Sequence, residues 1–326
     1  MANNSVLVRV PATVGNFAGA TDCAALALDA TLNAKVTPRA DGHVGIRYFG
    51  ENGERVPRDR SNLIIRAMEA ALHLRGVEFT GADLEIYSSV PVAVGLGSST
   101  AAVLAGLIAA VGLFRLELDE KTLFELAVIY ESRRDNLRAA WAGGFVAAVD
   151  GQSASNYQHT LVPENFTLSV VIPETALVVG GRRARPSGRI AGKDFRTHQQ
   201  RAAVVADFFA TAKKGGALEP DTVLPPTCEK AVAGLEDALQ VRVPGLLSVF
   251  VCGSGPAVGV LAQGDTAGAV QAVQECFARR GVPATATQFR PINVGAREWN
   301  AVRPDITLPA ARPLASPLAK SSLIPV

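Results

Sequence analysis

Residues 94–102 read V-G-L-G-S-S-T-A-A, a glycine-rich turn that runs straight into an apolar, alanine-rich segment reaching Phe114. No other run constrains the chain as strongly, because a turn that needs glycine is followed at once by a segment that must be buried. Gly95 and Gly97 open backbone angles closed to other residues, so the chain can approach an anion with its N–H groups turned inward. Ser98, Ser99 and Thr100 then supply free first-turn donors at the positive end of a helix dipole. The layout is that of a phosphate cradle, with the amides of Gly95, Leu96, Gly97, Ser98, Ser99 and Thr100 as donors and a nucleotide phosphate as the leading ligand. An ordinary helix N-cap uses the same residue types.

Other phosphate loops are excluded by residue type. No Lys-Ser or Lys-Thr pair closes the turn, so it is not a Walker A loop, and Thr100 stands where the dinucleotide pattern needs its third glycine. Gly259 to Thr266 has Walker A spacing, but Asp265 occupies the lysine position. Before the loop, residues 82–92 alternate Leu84, Ile86 and Ser88 with charged or small residues, which predicts a strand leading into it.

With 326 residues, 48% of them hydrophobic and 19% charged, the chain can bury a large core and is long enough for two domains. The net charge of +2 is spread over interspersed acids and bases with no aromatic-rich basic stripe, so nucleic acid is not the expected partner. Cys23, Cys228, Cys252 and Cys276 are widely spaced and form no C-x-x-C pair, which points to a reducing compartment rather than a disulfide framework or zinc site. The amino end has no basic segment followed by an apolar signal core, and the longest apolar run is too short to span a bilayer. The expectation is a cytoplasmic protein with no membrane partner.

Strands are expected at Val6–Val10, Ala24–Leu28 and His43–Phe49, helices at Asn62–Leu74, at the loop segment to Phe114 and at Glu120–Tyr130, and a further strand at Phe145–Val149. The polar stretch Asp150–His159 suggests a domain boundary. The second half offers strands at Phe166–Ile172, Ala176–Val179, Leu246–Val251, Ala257–Leu261 and Ala284–Phe289, with helices at Gln199–Ala212 and Ala267–Arg280. The fold class is α+β, divided as 1–157, 158–300 and a proline-rich tail, 301–326. That tail carries Pro304, Pro309, Pro313, Pro317 and Pro325 and reads as extended, either disordered or an arm on a neighbouring subunit.

The pattern P-x-x-x-G-L-G-S-S-x-A-A, from Pro91 to Ala102, resembles the ATP-binding signature of the GHMP kinases, named for galactokinase, homoserine kinase, mevalonate kinase and phosphomevalonate kinase. Four further segments resemble homoserine kinase in the order of that family's motifs. V-R-V-P-A-T-V-G-N-F-A-G-A-T-D, Val8 to Asp22, is similar to a motif whose Asn and Asp contact the substrate, which implies Asn16 and Asp22. Ser61-Asn62-Leu63 is similar to a helix start beside the adenine, although Asn62 also suits an N-cap. E-S-R-R-D-N, Glu131 to Asn136, precedes Gly143-Gly144 and places Glu131 at the magnesium ligand, with Ser98 as its partner. C-G-S-G-P, Cys252 to Pro256, resembles a loop that closes over triphosphate and substrate and includes Gly255. A tight turn between strands fits it equally. The resemblance implies a ribosomal-protein-S5-like amino-terminal domain and a ferredoxin-like carboxy-terminal domain with the site between them, ATP and Mg²⁺ as cofactors, and a homodimer.

The substrate half departs from that family. Ala18-Gly19-Ala20-Thr21 replaces Gly-Pro-Gly-Phe, and Arg133-Arg134 replaces His-Pro. The second-domain arginine remains as Arg185, while Cys228 falls where another carboxylate-binding arginine is expected. Loss of such a bidentate contact costs roughly 1.5 to 3 kcal/mol when nothing replaces it. Either Arg133 or Lys230 compensates, or the pocket takes another hydroxylated small molecule, with Arg133 against an acid group. The expected activity is phosphoryl transfer from ATP to a hydroxyl of homoserine or a related metabolite, with Asp135 orienting or accepting the hydroxyl proton beside Asn136. A regulatory protein that binds nucleotide or amino acid without turnover is the alternative.

Overall fold

The computed structural model describes residues 5–148, 156–174, 192–211, 232–263 and 266–301. The first of these segments builds β1 (Val6–Gly15), β2 (Ala24–Pro38), β3 (Val44–Phe49), α1 (Leu63–Leu74), β4 (Ala82–Ser88), α2 (Ser98–Phe114), α3 (Glu120–Tyr130), α4 (Arg134–Ala142) and β5 (Phe145–Ala148). After it come β6 (Tyr157–Thr160), β7 (Phe166–Pro173), α5 (Gly192–Thr211), α6 (Leu235–Leu239), β8 (Leu246–Val251), β9 (Val258–Gln263), α7 (Ala267–Ala278), β10 (Ala284–Phe289) and α8 (Ala296–Ala301).

The long strand β2 organises the first sheet. On one edge Leu32–Pro38 pair with β4 and Ala24–Leu26 with β5, while β1 runs antiparallel along the other. β3 adds parallel to β4, and β6 adds antiparallel to β5. The register of β1 on β2 shifts between Pro11 and Ala12, where proline has no N–H to give the ladder. That bulge carries the strand five residues beyond Val10, the end expected from its β-branched run. α2 packs on α1, β1 and β2, and most of its residues are buried.

The second sheet has the order β10-β7-β9-β8, antiparallel throughout. In chain order its strands with α5 and α7 read β-α-β-β-α-β, and the spatial order 4-1-3-2 is that of the ferredoxin-like fold. A single hydrophobic cluster includes residues of both sheets. At its centre Phe17 packs on Phe250 of β8, with centroids 4.7 Å apart, and edge-on to Phe145 of β5 at 5.5 Å, while Phe209 of α5 closes the group. These rings hold the loop after β1 between the sheets.

Most elements lie within a few residues of their expected places. α4 is an addition: Arg134–Ala142 is charged along one face and offers no long apolar stripe, yet Leu137, Ala139 and Ala140 are buried against β1 and β2. β6, α6 and α8 were also not expected, and each is only four to six residues long. β6 forms at the end of the polar stretch 150–159. The segments expected at Ala176–Val179 and in the proline-rich tail beyond residue 301 lie outside the described residues.

Candidate active site

The glycine loop is pinned from two sides. Gly95 has φ +97° and Gly97 φ +71°, and a Cβ on Gly95 would lie 2.0 Å from the Cys252 carbonyl oxygen, while one on Gly97 would lie 2.2 Å from Thr13 Oγ1. Thr13 N donates to Leu96 O at 3.2 Å, and Gly253 N donates to Gly15 O at 3.0 Å. Three sequence motifs, around residues 13–16, 93–97 and 252–255, therefore meet at backbone distance. Gly97 is the N-cap of α2 and offers no side chain, so the first-turn amides of α2 face the loop uncapped.

Glu131 ends α3 in an extended conformation and is 7% exposed. Its Oε2 accepts from Ser99 Oγ at 2.6 Å and Thr100 Oγ1 at 3.2 Å, and its Oε1 accepts from the Arg133 amide at 3.0 Å. The hydroxyl on Glu131 is thus that of Ser99, with Thr100 behind it, while Ser98 opens the helix one residue earlier. One carboxylate and neighbouring hydroxyls at the positive end of a helix form a hard-oxygen set, which fits magnesium shared with phosphates and water. Among the described residues no group of three or more His, Cys, Asp or Glu is arranged to hold a metal without such help.

In the loop after β1, Asn16 is buried with φ 60° and Asp22 has φ 53°. Asn16 Nδ2 donates to Gly253 O, and its Oδ1 accepts from the Asp22 amide at 3.2 Å and from Arg133 Nη2 at 2.5 Å. Asp135 and Asn136 occupy the first turn of α4 and are buried. Burial pushes the Asp135 carboxyl up to about 6, Arg133 opposes that shift, and Asp22 and Glu131 add to it. Burial likewise pushes Cys23 up to about 12, so this thiol is neutral and no nucleophile. Gly255 has φ +68° and turns its amide onto Cys252 O at 2.8 Å. Asn62 caps α1: its Oδ1 accepts from Ile64 N and its Nδ2 donates to Pro57 O. Arg185, Cys228 and Lys230 lie outside the described residues.

Three residues enter the site without having been singled out from the sequence. Thr13 lies beneath Gly97. His198, buried on α5, places Nδ1 2.7 Å from Gly19 O, and Arg201 Nη1 donates to the same carbonyl at 3.2 Å. The sequence does carry one signal for His198: with Ala202, Val205 and Phe209 it shares a buried stripe at helical spacing.

Residues 62–144 match the model of the GHMP kinases N terminal domain. The homoserine kinase of Moorella thermoacetica is 30% identical over 294 residues, covering 89% of this chain and 98% of its own length. The chain belongs to the homoserine kinase family of the GHMP kinases. A second family member, the homoserine kinase of Persephonella marina, is 30% identical over 84% of this chain and 92% of its own length. Among solved structures, homoserine kinase from Cytophaga hutchinsonii superposes with a TM-score of 0.71 at 22% identity, covering 90% of this chain and 97% of that one. Lactococcus lactis galactokinase complexed with galactose gives 0.66 at 16% identity, covering 89% and 94%. These two likenesses establish the two-domain GHMP kinase fold. As a GHMP kinase the chain takes ATP and phosphorylates an alcohol group of a small molecule. Among the described residues no helix is long and apolar enough to cross a membrane.

Proposed function

We propose that this GHMP kinase transfers the γ-phosphoryl group of ATP to a hydroxyl of homoserine or of a closely related hydroxylated acid. The observation that carries the reading is the Glu131 carboxylate on the hydroxyls of Ser99 and Thr100, at the mouth of a loop whose two glycines admit no side chain. The amides of Gly95 to Thr100 hold the phosphates, and Asn62 orders the helix start beside the adenine. Glu131 and Ser98 would hold Mg²⁺, with Ser99 keeping the carboxylate in position, and the ion would supply neutralisation of phosphate charge there.

Catalysis on this account is mostly positioning and charge neutralisation, because the transferring phosphoryl group needs little covalent help. Asn16, Asp22, Arg133, Arg185 and Gly255 surround the acceptor. Asp135 takes or orients the hydroxyl proton, and its raised proton affinity suits that exchange better than an ordinary carboxylate would. Asn136 lies beside it. We further take residues 1–157 and 158–300 as the two domains and 301–326 as a tail, and we expect a cytoplasmic homodimer.

The test is ADP release by the purified chain with ATP and Mg²⁺, offering L-homoserine, L-threonine and L-serine separately. Acceptor-dependent ADP release with homoserine supports the proposal. ATP binding with no acceptor-dependent release from any of the three contradicts it and favours a nucleotide-binding regulatory protein or another acceptor alcohol.

A further inference from the structure

The loop from Asn16 to Asp22 cannot hold its own shape. Asn16, Ala18, Gly19 and Asp22 have φ of 60°, 49°, 77° and 53°, and all but the glycine carry a Cβ that disfavours this region. Backbone of this kind persists only where its surroundings fix it from several sides. Asn16 is fixed by Gly253 and Arg133, and Phe17 by the aromatic cluster. Gly19, buried in the middle of the loop, has only its backbone to offer. Its N–H donates to Asn16 O at 3.2 Å, and its carbonyl accepts from α5.

Both donors to that carbonyl stand on one face of α5, because His198 and Arg201 are three residues apart. A carbonyl oxygen only accepts, so Nδ1 of His198 carries the proton in the 2.7 Å contact, and Arg201 Nη1 adds the second bond at 3.2 Å. His198 is 3% exposed, so bulk water is not at hand to replace it. The helix that carries the pair is itself anchored, with Phe208 and Phe209 packed on Phe166 of β7. The glycine loop is tied elsewhere, by Thr13 N on Leu96 O and by Gly95 against the Cys252 carbonyl. A change at His198 therefore reaches Asn16 and Asp22 before it reaches the phosphate amides.

We infer that His198 is a positioning residue for the acceptor: by donating to Gly19 O, with Arg201 as second donor, it holds Asn16 and Asp22 where they meet the substrate, an assignment that rests on the proposed reading of this loop as part of the acceptor site. The experiment measures kcat and KM for L-homoserine and for ATP, with Mg²⁺, in the full chain and in His198→Leu and His198→Asn. Leucine keeps apolar bulk and removes the donor. Asparagine gives up the ring but carries its amide nitrogen on Cγ, as imidazole carries Nδ1, so the donor is restored.

The expected result in His198→Leu is a homoserine KM raised about tenfold, with the ATP KM within about twofold of the unmodified chain. In His198→Asn both constants stay within about threefold of the unmodified values. Simple space-filling by His198 would give the opposite order, since leucine fills an apolar site better than asparagine. An unchanged homoserine KM in His198→Leu, an equal rise in both KM values, or no recovery in His198→Asn overturns the inference. If His198→Leu does not fold, Arg201→Met, which removes the other donor to the same carbonyl, is judged by the same split. The chain has four histidines, and ¹⁵N spectra of the unmodified protein that show Nδ1 of His198 without a proton also overturn it. Absence of homoserine-dependent ADP release by the unmodified chain overturns the acceptor reading together with the inference, whereas release with no such split overturns the inference alone.

Discussion

At the scale of single residues, the site depends on groups held in states they would not choose in water. Asp135 is enclosed by Arg133, Asp22, Glu131, Cys23 and Tyr157, and desolvation is the largest influence on it. Its folded proton affinity exceeds the unfolded one, so its contribution to stability is full below pH 4 and is lost as pH rises through about 6. Asp135→Asn, which has no charge to bury, is therefore expected to melt above the unmodified chain at pH 8 by up to roughly 3 kcal/mol of stability, the gap closing below pH 4. Melting curves without nucleotide at several pH values check this, and a variant that is less stable at pH 8 than the unmodified chain contradicts it. The activity of the unmodified chain should rise with pH through the same range, since proton acceptance needs the ionised form. Gly95→Ala is expected to weaken ATP binding at least about tenfold, because its Cβ would meet backbone rather than a movable side chain. Calorimetric titration with ATP measures that loss directly, and an affinity equal to that of the unmodified chain would place the nucleotide elsewhere.

At the scale of elements, legibility followed the strength of local signals. The glycine loop, α2 and α3 have the expected bounds because turn chemistry and apolar spacing agree there. α1 begins after Asn62, whose side chain closes the first turn, so Asn62→Ala is expected to cost about 1 kcal/mol in denaturant unfolding. A change confined to ATP affinity would instead assign Asn62 to the nucleotide alone. α4 is hard to read from the sequence because it is only nine residues long, and its buried face mixes Asp135 and Asn136 with Leu137 and Ala140. That helix nevertheless sets Asp135 and Asn136 into the pocket, so two residues found through family resemblance owe their burial to an element the sequence did not reveal. The partners of Glu131 follow the same pattern. Resemblance joins Ser98 to Glu131 around a magnesium ion, and the helical turn in addition brings Ser99 and Thr100 onto the carboxylate. Contacts such as Thr13 under Gly97 and His198 on Gly19 depend on long-range packing, which no local pattern encodes.

At the scale of the whole molecule, the two sheets share one apolar cluster, and the loop after β1 is seated in it through Phe17. Phe17→Ala is expected to cost about 3 to 5 kcal/mol and to lower activity beyond what unfolding explains, since it frees the segment carrying Asn16 and Asp22. Denaturant unfolding beside kcat/KM at a temperature where the variant is folded separates the two effects, and unchanged kcat/KM would show that the loop holds its place without the ring. The α+β class and the order of elements in the second sheet were accessible from the sequence through strand and helix signals. The meeting of three distant glycine segments was legible only through family resemblance, because no local pattern encodes a contact that exists only once the sheets are packed. The most direct measurement of the central claim is the rate of phosphoryl transfer from ATP, at limiting Mg²⁺, by the unmodified chain and by Glu131→Ala. Glu131→Ala is expected to lose at least about a hundredfold in rate with its melting temperature largely retained. Wild-type turnover by Glu131→Ala under those conditions would contradict it.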